Sequence, residues 1–345
     1  MNSDILFVFP GYLEALTRRG GGREETLLEV ATRLSNSFNV RIVSPFFGKY
    51  TKTIQLSSTL TINNLYFPTL KNYPYSKNWF SNIVSSLSVF LFYEFLVIMK
   101  LIELKKKGLK IVVLSDIISG ILPTIFAKLL KIKIVYYEGN LTPWIDYRIL
   151  SRNTSLMKSI WHSFTIIVGC VIGEMADSII VNDGLIKGGM IHHGISEDKI
   201  CIIRGGVDTN KFKPMEAEPY PEAEFVAGFI GRLTDEKGAP ALLDFCKIAL
   251  YKLPQVKIII LGDGPYRRDF EILPNVKYVG WVDHNILYKW MRFIDVVLSF
   301  QRTFGRGEIE ALACGKPVIA YRIGEMPKLI KNGENGLLCQ PRIDS

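Results

Sequence analysis

Residues 228–238 read Gly-Phe-Ile-Gly-Arg-Leu-Thr-Asp-Glu-Lys-Gly and follow the short apolar run of residues 225–227. The apolar, helix-like residues 241–250 come next, so this stretch predicts a strand, a glycine-rich turn and the start of a helix. Glycine lets a ligand approach the backbone, and the first turn of a helix offers unpaired N–H groups that suit phosphate. With the cations Arg232 and Lys237 in the turn, the stretch predicts a diphosphate-binding site. An ordinary turn with two solvated charges is the alternative.

The composition is that of a globular protein with two domains. The chain has 345 residues, of which 48% are hydrophobic and 22% charged, and this length is long for one core. The net charge of +9 is uneven, because residues 1–190 hold 21 Lys and Arg against 13 Asp and Glu, whereas the remainder holds 21 against 20. The basic half predicts an anionic partner, such as a membrane surface, an anionic acceptor molecule or nucleic acid. We expect no nucleic acid, because helix-turn-helix, RNP and zinc-finger patterns are absent from the sequence.

The cysteines and the first residues indicate a reducing compartment. Five cysteines are scattered along the chain without a Cys-x-x-Cys pair, which argues against structural zinc and against a disulfide framework. Residues 1–10 form one short apolar run with Asp4 ahead of it and no basic segment, so they predict a first strand and not a signal peptide. We therefore expect a cytoplasmic protein without a metal site.

The first half alternates short apolar runs with helical lengths. Residues 5–9 predict a strand that a glycine loop, a helix and a second strand follow. The spacing of the glycines differs from the dinucleotide-binding pattern, so we expect no nicotinamide site. Gly21 and Gly22 would let a phosphate or sugar lie against the backbone, or would form a plain turn. Further predicted strands lie at 40–43, 111–114, 132–137, 178–181 and 200–203. This alternation predicts a parallel, doubly wound α/β sheet, and Glu138 begins a candidate site loop after one of its strands.

Residues 208–224 separate the two predicted domains. They combine three prolines with four glutamates and few large apolar side chains, as linkers do. We therefore predict a Rossmann-like domain at 1–207 and a second one at 225–345, facing each other across a ligand cleft. Further strands of the second domain are predicted at 257–261, 275–279, 295–299 and 318–321.

Two loops and a helix start in the second half carry candidate binding residues. These residues are Gly262, Gly264, Phe304, Gly305, Glu308 and Glu310. Ile309, Leu312 and Ala313 share one face of the predicted helix, which leaves the two acids at the flanks of this face near the N-terminus. The acids would accept hydrogen bonds from ribose or sugar hydroxyls, or would merely favour the positive end of the helix dipole.

Residues 83–102 form a long apolar stretch, with 15 apolar side chains in 20 positions. Glu94 near its centre would cost about 3 kcal/mol in a bilayer, so we predict a buried or membrane-facing helix and not a membrane span. The lysines that follow are Lys105, Lys106, Lys107 and Lys110. This combination predicts association with an anionic lipid surface, and a core helix followed by solvated lysines is the alternative.

Taken in order, these segments resemble the retaining glycosyltransferases of family four, which have the GT-B fold. The resemblance covers nearly the whole chain and rests on Gly20-Gly21-Gly22, residues 176–181, residues 199–208, Gly231-Arg232, Glu236-Lys237-Gly238, residues 262–265 and residues 310–318. It implies transfer of a sugar from a nucleotide-sugar donor to a glycan or lipid-linked acceptor, without a metal or another cofactor. It also implies that Arg232 and Lys237 bind the donor diphosphate, that Glu310 holds the ribose, and that the amides at Phe304 and Gly305 face the sugar.

Three positions depart from the family pattern. Arg302 stands in place of the first Glu of the Glu-x7-Glu pattern, Glu138 in place of the usual His, and Gly205 in place of Asn in the Asn-Gly-Val-Asp segment. Relatives usually continue beyond the position of Ser345 with helices that close the second domain. Two alternatives therefore stay open: an inactive sugar-nucleotide-binding or partner subunit, and a transferase with a soluble sugar-phosphate acceptor.

Overall fold

The chain forms two compact α/β units, the first ending at Arg204 and the second beginning at Gly205. The computed structural model describes residues 4–9, 22–46, 52–66, 79–115, 117, 120–139, 143–144, 156–221, 223–301 and 305–341. Each unit has its own β-sheet, because apolar strand segments alternate with helical ones along the chain. The prediction of two Rossmann-like α/β units is confirmed.

The first unit is built on an eight-stranded sheet. Its strands are β1 (Ile5–Val8), β2 (Val40–Phe46), β3 (Lys52–Gln55), β4 (Leu60–Tyr66), β5 (Ile111–Ser115), β6 (Lys133–Glu138), β7 (Ser178–Val181) and β8 (Ile200–Ile202), and its helices are α1 (Gly22–Leu34), α2 (Trp79–Lys105), α3 (Ile121–Leu129), α4 (Leu156–Met175) and α5 (Gly184–His192). The strand order is β3-β4-β2-β1-β5-β6-β7-β8. Neighbouring strands are parallel except for β3, which runs antiparallel to β4 at the edge. All four residues of β1 are buried, as a central parallel strand requires.

Helix α2 packs one face into the core of the first unit. Val97, Leu101 and Leu104 are fully buried, and the hydroxyl of Tyr93 donates a hydrogen bond of 2.6 Å to the backbone oxygen of Phe9. The helix therefore has a core contact like the one that the sequence predicted for residues 83–102. Across the described residues, no helix is both long and apolar enough to cross a membrane.

Glu94, the one charge in the middle of this apolar helix, is buried at the N-terminus of α3. A methyl group on Gly120 would lie 2.1 Å from Oε1 of Glu94, so the carboxylate occupies the space that a side chain would need there. Burial raises the pKa of Glu94 to about 7, against the smaller opposing effect of the amides of Leu122 and Ile121. The carboxyl group of α2 thus packs closely against the start of α3.

The second unit is a six-stranded, fully parallel sheet. Its strands are β9 (Phe225–Ile230), β10 (Val256–Leu261), β11 (Val276–Gly280), β12 (Val296–Ser299), β13 (Val318–Tyr321) and β14 (Gly336–Cys339), and its helices are α6 (Ala239–Lys252), α7 (Arg267–Glu271), α8 (His284–Trp290), α9 (Arg306–Ala313) and α10 (Met326–Leu329). The strand order is β11-β10-β9-β12-β13-β14. The chain therefore builds outward from β9 in one direction and from β12 in the other. The carboxyl ends of β9 and β12 meet where the order reverses, and open α/β sheets bind ligands at this point.

Residues 208–221, within the predicted linker, pack on the second unit. The Phe212 side chain is buried in the core of this unit. The backbone N–H of Glu218 also donates to the backbone oxygen of Arg292 at 3.0 Å. This segment is thus ordered against the sheet that follows it.

Candidate functional site

Two glycine loops lie directly against each other at the ends of β9 and β10. A methyl group on Gly262 would lie 1.8 Å from the backbone oxygen of Gly231, and one on Gly264 would lie 2.4 Å from that of Leu233. Gly231 and Gly262 both have positive φ, at 153° and 155°, which favours glycine. The N–H of Leu233 donates to the backbone oxygen of Asp263 at 3.0 Å and joins the loops. The predicted binding glycines 231, 262 and 264 thus shape one continuous backbone surface.

A third glycine places the turn after β9 against the end of β12. Gly238 adopts the left-handed conformation with φ of 75°, between a 3-10 turn at Asp235–Lys237 and helix α6. A methyl group there would lie 2.5 Å from Cβ of Phe300, the residue after β12. Only a residue without Cβ allows this approach, and the approach brings Lys237 beside Gln301.

The two predicted diphosphate-binding cations differ in their surroundings. The Arg232 side chain is 65% exposed and forms an ion pair of 3.2 Å with Glu236. Lys237 is half-buried, and its Nζ donates to Oε1 of Gln301 at 2.6 Å. A methyl group on Gly305 would lie 3.7 Å from this Nζ, so the ammonium group of Lys237 lies at the N-terminus of α9. A cation beside a helix N-terminus is a favourable site for phosphate.

Glu308 is the centre of a buried hydrogen-bond network behind Lys237. Its Oε1 accepts from Oγ of Ser299 at 2.7 Å and from Nε2 of Gln301, and its Oε2 accepts from the N–H of Gly305 at 2.8 Å. The last contact belongs to a capping box at the start of α9. The Glu308 carboxylate therefore hydrogen-bonds to protein groups through both oxygens. It can affect a ligand only indirectly, through Gln301 and Lys237.

Glu310 forms a second buried cluster two residues further along α9. Its Oε1 lies 2.6 Å from Nε2 of His284 and 3.2 Å from Nε of Arg306, and Nη2 of Arg306 lies 3.1 Å from Nε2 of His284. Arginine only donates, so Nε2 of His284 either donates to Glu310 or accepts from Arg306. Both described hydrogen-bonding partners of the carboxylate contact Oε1. Among the described residues, Oε2 of Glu310 keeps its hydrogen-bonding capacity for a ligand.

Helix α9 buries its two acids as well as part of its apolar face, from which Leu312 and Ala313 pack against the core of the second unit. Its buried residues are Glu308, Glu310 and Ala311, whereas Ile309 and Leu312 are half-buried. Both acids are buried because each has polar partners: Ser299 and Gln301 for Glu308, and His284 and Arg306 for Glu310. Sequence reasoning missed His284 and Arg306; the spacing of four residues from Arg306 to Glu310 was the available signal.

The other predicted site residues lie in the first unit or outside the described residues. Glu138 is the last residue of β6 and fully buried, and its Oε2 accepts from the hydroxyl of Tyr136 at 2.7 Å. Gly22 is the first residue of α1. Gly21, Arg302 and Phe304 lie outside the described residues. Within the described ranges, His, Cys, Asp and Glu side chains form no group of three that would hold a metal ion.

The second unit has a clear counterpart among known protein families. Residues 224–345 match the family model Glycosyl transferases group 1. The D-inositol 3-phosphate glycosyltransferases of Mycobacterium tuberculosis (strain ATCC 25618 / H37Rv) and Mycobacterium bovis (strain BCG / Pasteur 1173P2) are each 32% identical over 186 residues. These alignments cover 48% of this chain and only 38% of each relative.

Solved structures resemble the fold over almost the whole chain. Anabaena Alr3699/HepE in complex with UDP and glucose superposes with a TM-score of 0.67, at 19% identity, over 99% of this chain and 86% of that one. Sucrose-phosphate synthase (tll1590) from Thermosynechococcus elongatus gives a TM-score of 0.72 with the same identity and coverage. The chain thus has the fold of the GT-B glycosyltransferases.

Proposed function

We propose that this protein is a retaining glycosyltransferase of family four that moves a sugar from a nucleotide-sugar donor to a glycan or lipid-linked acceptor. The observation that carries the proposal is the position of Lys237. Its ammonium group lies beside the N-terminus of α9, near the point between β9 and β12 where the strand order of the sheet reverses. Glu310 also lies on α9. This arrangement falls within the residues that match the Glycosyl transferases group 1 model. Two solved structures of Anabaena Alr3699/HepE are complexes with UDP and glucose and with UDP-glucose, which supports a nucleotide-sugar donor here.

Each site residue then has a defined role toward the donor. Lys237 and Arg232 neutralise the diphosphate, the glycine loops let it approach the backbone, and Oε2 of Glu310 accepts from a ribose hydroxyl. The acceptor hydroxyl attacks the anomeric carbon on the face that the diphosphate leaves, and the departing phosphate oxygen takes its proton. Two cations and a helix N-terminus supply the charge that the leaving group needs. The proposed chemistry therefore requires neither a metal nor a strong protein base.

The acceptor is assigned to the basic first unit and to the cytoplasmic face of a membrane. Anionic glycan precursors, including lipid-linked ones, suit the excess of lysine and arginine in residues 1–190. The name of the curated relatives supports a second candidate, a soluble sugar-phosphate acceptor. The third candidate, an inactive sugar-nucleotide-binding or partner subunit, is favoured by Arg302, which replaces a carboxylate of the family pattern.

A donor screen tests the proposal. Thermal unfolding and release of nucleoside diphosphate are measured over UDP-, GDP- and ADP-sugars for the wild type, Lys237→Ala and Arg302→Glu. We expect one donor to raise the Tm and release its diphosphate, and Lys237→Ala to lose both effects. Lys252→Ala is the matched control, because Lys252 is an exposed lysine at the far end of α6.

The alternatives give different outcomes in the same screen. Binding without release in the wild type, converted to release by Arg302→Glu, would identify the inactive binding subunit. A Tm that no donor changes would rule out the diphosphate site. Transfer to a soluble sugar phosphate but not to lipid-linked acceptors would select the second candidate.

A further inference from the structure

Two helices of the first unit present apolar stripes to solvent. On α2 the exposed side chains are Leu91, Phe92, Phe95 and Met99, and on α4 they are Ile160, Phe164, Ile167 and Val171. The α4 positions are spaced by four, three and four residues, so they form one line along the helix, and the α2 positions span an arc of about 100°. Phe95 is 54% exposed and Ile167 63%. The outer face of a surface helix is normally polar, so both stripes need an explanation.

In the part of the first unit that the structure describes, the core uses other faces of these two helices. The opposite faces of both helices already make the core contacts: Leu101 and Leu104 of α2 are buried, and Gly169 of α4 packs against the Trp144 ring. Helix α3 packs against α2 and against α4, so the three helices lie together on one face of the sheet. Among the described residues the stripes are therefore exposed apolar surface, and surfaces of this kind mark interaction sites.

Lysines border this surface at one end. Helix α2 ends at Lys105, with Lys106 next, while Leu129 of α3 is 71% exposed and is followed by Lys131 and Lys133. Nζ of Lys105 donates to the backbone oxygen of Lys131 at 3.3 Å, so the two lysine groups are adjacent. Among the described residues, no carboxylate lies within ion-pair distance of these four lysines.

The charge of these lysines favours an anionic occupant. Apolar stripes beside lysines that form no ion pair among the described residues complement a bilayer with anionic headgroups, because contact buries apolar surface and brings opposite charges together. A second copy of the chain would instead bring the same lysines to the interface, where their charges would repel. We propose that the outer faces of α2 and α4, with Lys105, Lys106, Lys131 and Lys133, form a docking surface for an anionic lipid bilayer. This inference rests on the membrane part of the proposed function and places it on named helices.

Vesicle flotation tests this docking surface. The full chain is mixed with vesicles of phosphatidylcholine alone or with 30 mol% phosphatidylglycerol, at low and high salt. We expect binding to the anionic vesicles only, and a loss of at least tenfold for Phe95→Ser/Ile167→Ser. Lys106→Gln/Lys131→Gln should bind about 30-fold more weakly, at about 1 kcal/mol per lysine near an anionic surface. Matched controls in the second unit are Tyr251→Ser/Ile272→Ser and Lys247→Gln/Lys252→Gln, whose side chains are also exposed.

The outcomes distinguish the docking surface from a dimer interface and from the proposed function. Wild-type binding that equals that of Phe95→Ser/Ile167→Ser, or no binding to either vesicle, would overturn it. A wild-type dimer in sedimentation that Phe95→Ser/Ile167→Ser dissociates would assign the surface to a second copy instead. Donor-induced stabilisation is measured on the same variants. Its presence without vesicle binding rejects only the docking surface, and vesicle binding without donor response rejects only the proposed function.

Discussion

At the scale of single residues, Gln301 can orient its amide in only one way. Ionised Glu308 only accepts, so Nε2 of Gln301 must face it, and Oε1 of Gln301 must then accept from Lys237. The buried carboxylate thereby fixes the polarity of a two-step hydrogen-bond chain that ends at the ammonium group. The position of Lys237 is thus set by a residue that need not contact the ligand.

We predict that Glu308→Gln weakens binding of the selected nucleoside diphosphate about tenfold. The neutral amide lets Gln301 rotate and present its NH2 group to Lys237, which loses a charge-assisted contact of about 1.5 kcal/mol. Isothermal titration calorimetry measures the change. The double variant Glu308→Gln/Gln301→Glu restores an acceptor for Lys237 and should recover affinity. If Glu308→Gln binds like the wild type, Glu308 serves only as the cap of α9.

Glu310 carries a separate prediction about the ribose. We expect the wild type to prefer a nucleoside diphosphate to its 2′,3′-dideoxy analogue about tenfold, because a charged acceptor contributes about 1.5 kcal/mol to such a hydrogen bond. Glu310→Gln should reduce this preference to about threefold. Competition binding gives the ratio, and Glu271→Gln, in an exposed ion pair with Arg267, is the control. An unchanged affinity ratio in Glu310→Gln would show that the Glu310 carboxylate does not bind the ribose.

The residues of the site were only partly visible in the sequence. Arg232, Lys237 and the glycines stand out because they interrupt a strand-to-helix transition within a few positions. His284 and Gln301 do not, because their partners Glu310 and Lys237 are 26 and 64 residues away and meet them only through the fold. The burial of Glu308 and Glu310 also depends on Ser299, Gln301 and His284, which no local pattern identifies as their partners.

At the scale of elements, a strand could be predicted from the sequence when it was an uninterrupted run of apolar residues. Strands such as β1, β5 and β10 are runs of buried Val, Ile and Leu, because parallel strands are covered on both faces. Strands β3 and β4 were missed, since Lys-Thr-Ile-Gln and Leu-Thr-Ile-Asn-Asn-Leu-Tyr are half polar; β3 is the edge strand of the sheet and β4 is its neighbour. Helix α2 was predicted from its length and hydropathy, but the site of Glu94 at the α3 N-terminus required the tertiary structure.

Glu94 gives a prediction for the α2–α3 contact. Its pKa is about 7 in the folded state against an ordinary 4.5, so between these values the folded protein binds a proton that the unfolded chain releases. Stability should therefore fall as pH rises from 4.5 to 7, by about 3 kcal/mol in total, and level off above pH 7. Glu94→Gln should remove this slope, measured as the free energy of unfolding in urea at pH 5 and pH 8. The same slope in Glu94→Gln would show that another group titrates, and exposed Glu29→Gln serves as control.

At the scale of the whole molecule, the two proposed ligands belong to different units. The nucleotide is assigned to the loops after β9, β10 and β12, whereas the bilayer is assigned to α2 and α4. The uneven charge of the chain agrees with this division, because most of the net +9 lies in residues 1–190. The division can be tested on the intact chain, since each ligand should leave its own pattern of backbone protection.

We predict two separate patterns in hydrogen–deuterium exchange. A saturating nucleoside diphosphate should slow exchange at residues 231–238, 262–264 and 305–310, because bound ligand suppresses local opening of these loops. Anionic vesicles should slow exchange at 91–107 and 159–171 and leave the nucleotide loops unchanged. Lys237→Ala should lose the first pattern and keep the second, whereas Phe95→Ser/Ile167→Ser should do the reverse. Protection of both regions by nucleotide alone would contradict the division and would mean that the donor also acts on the first unit.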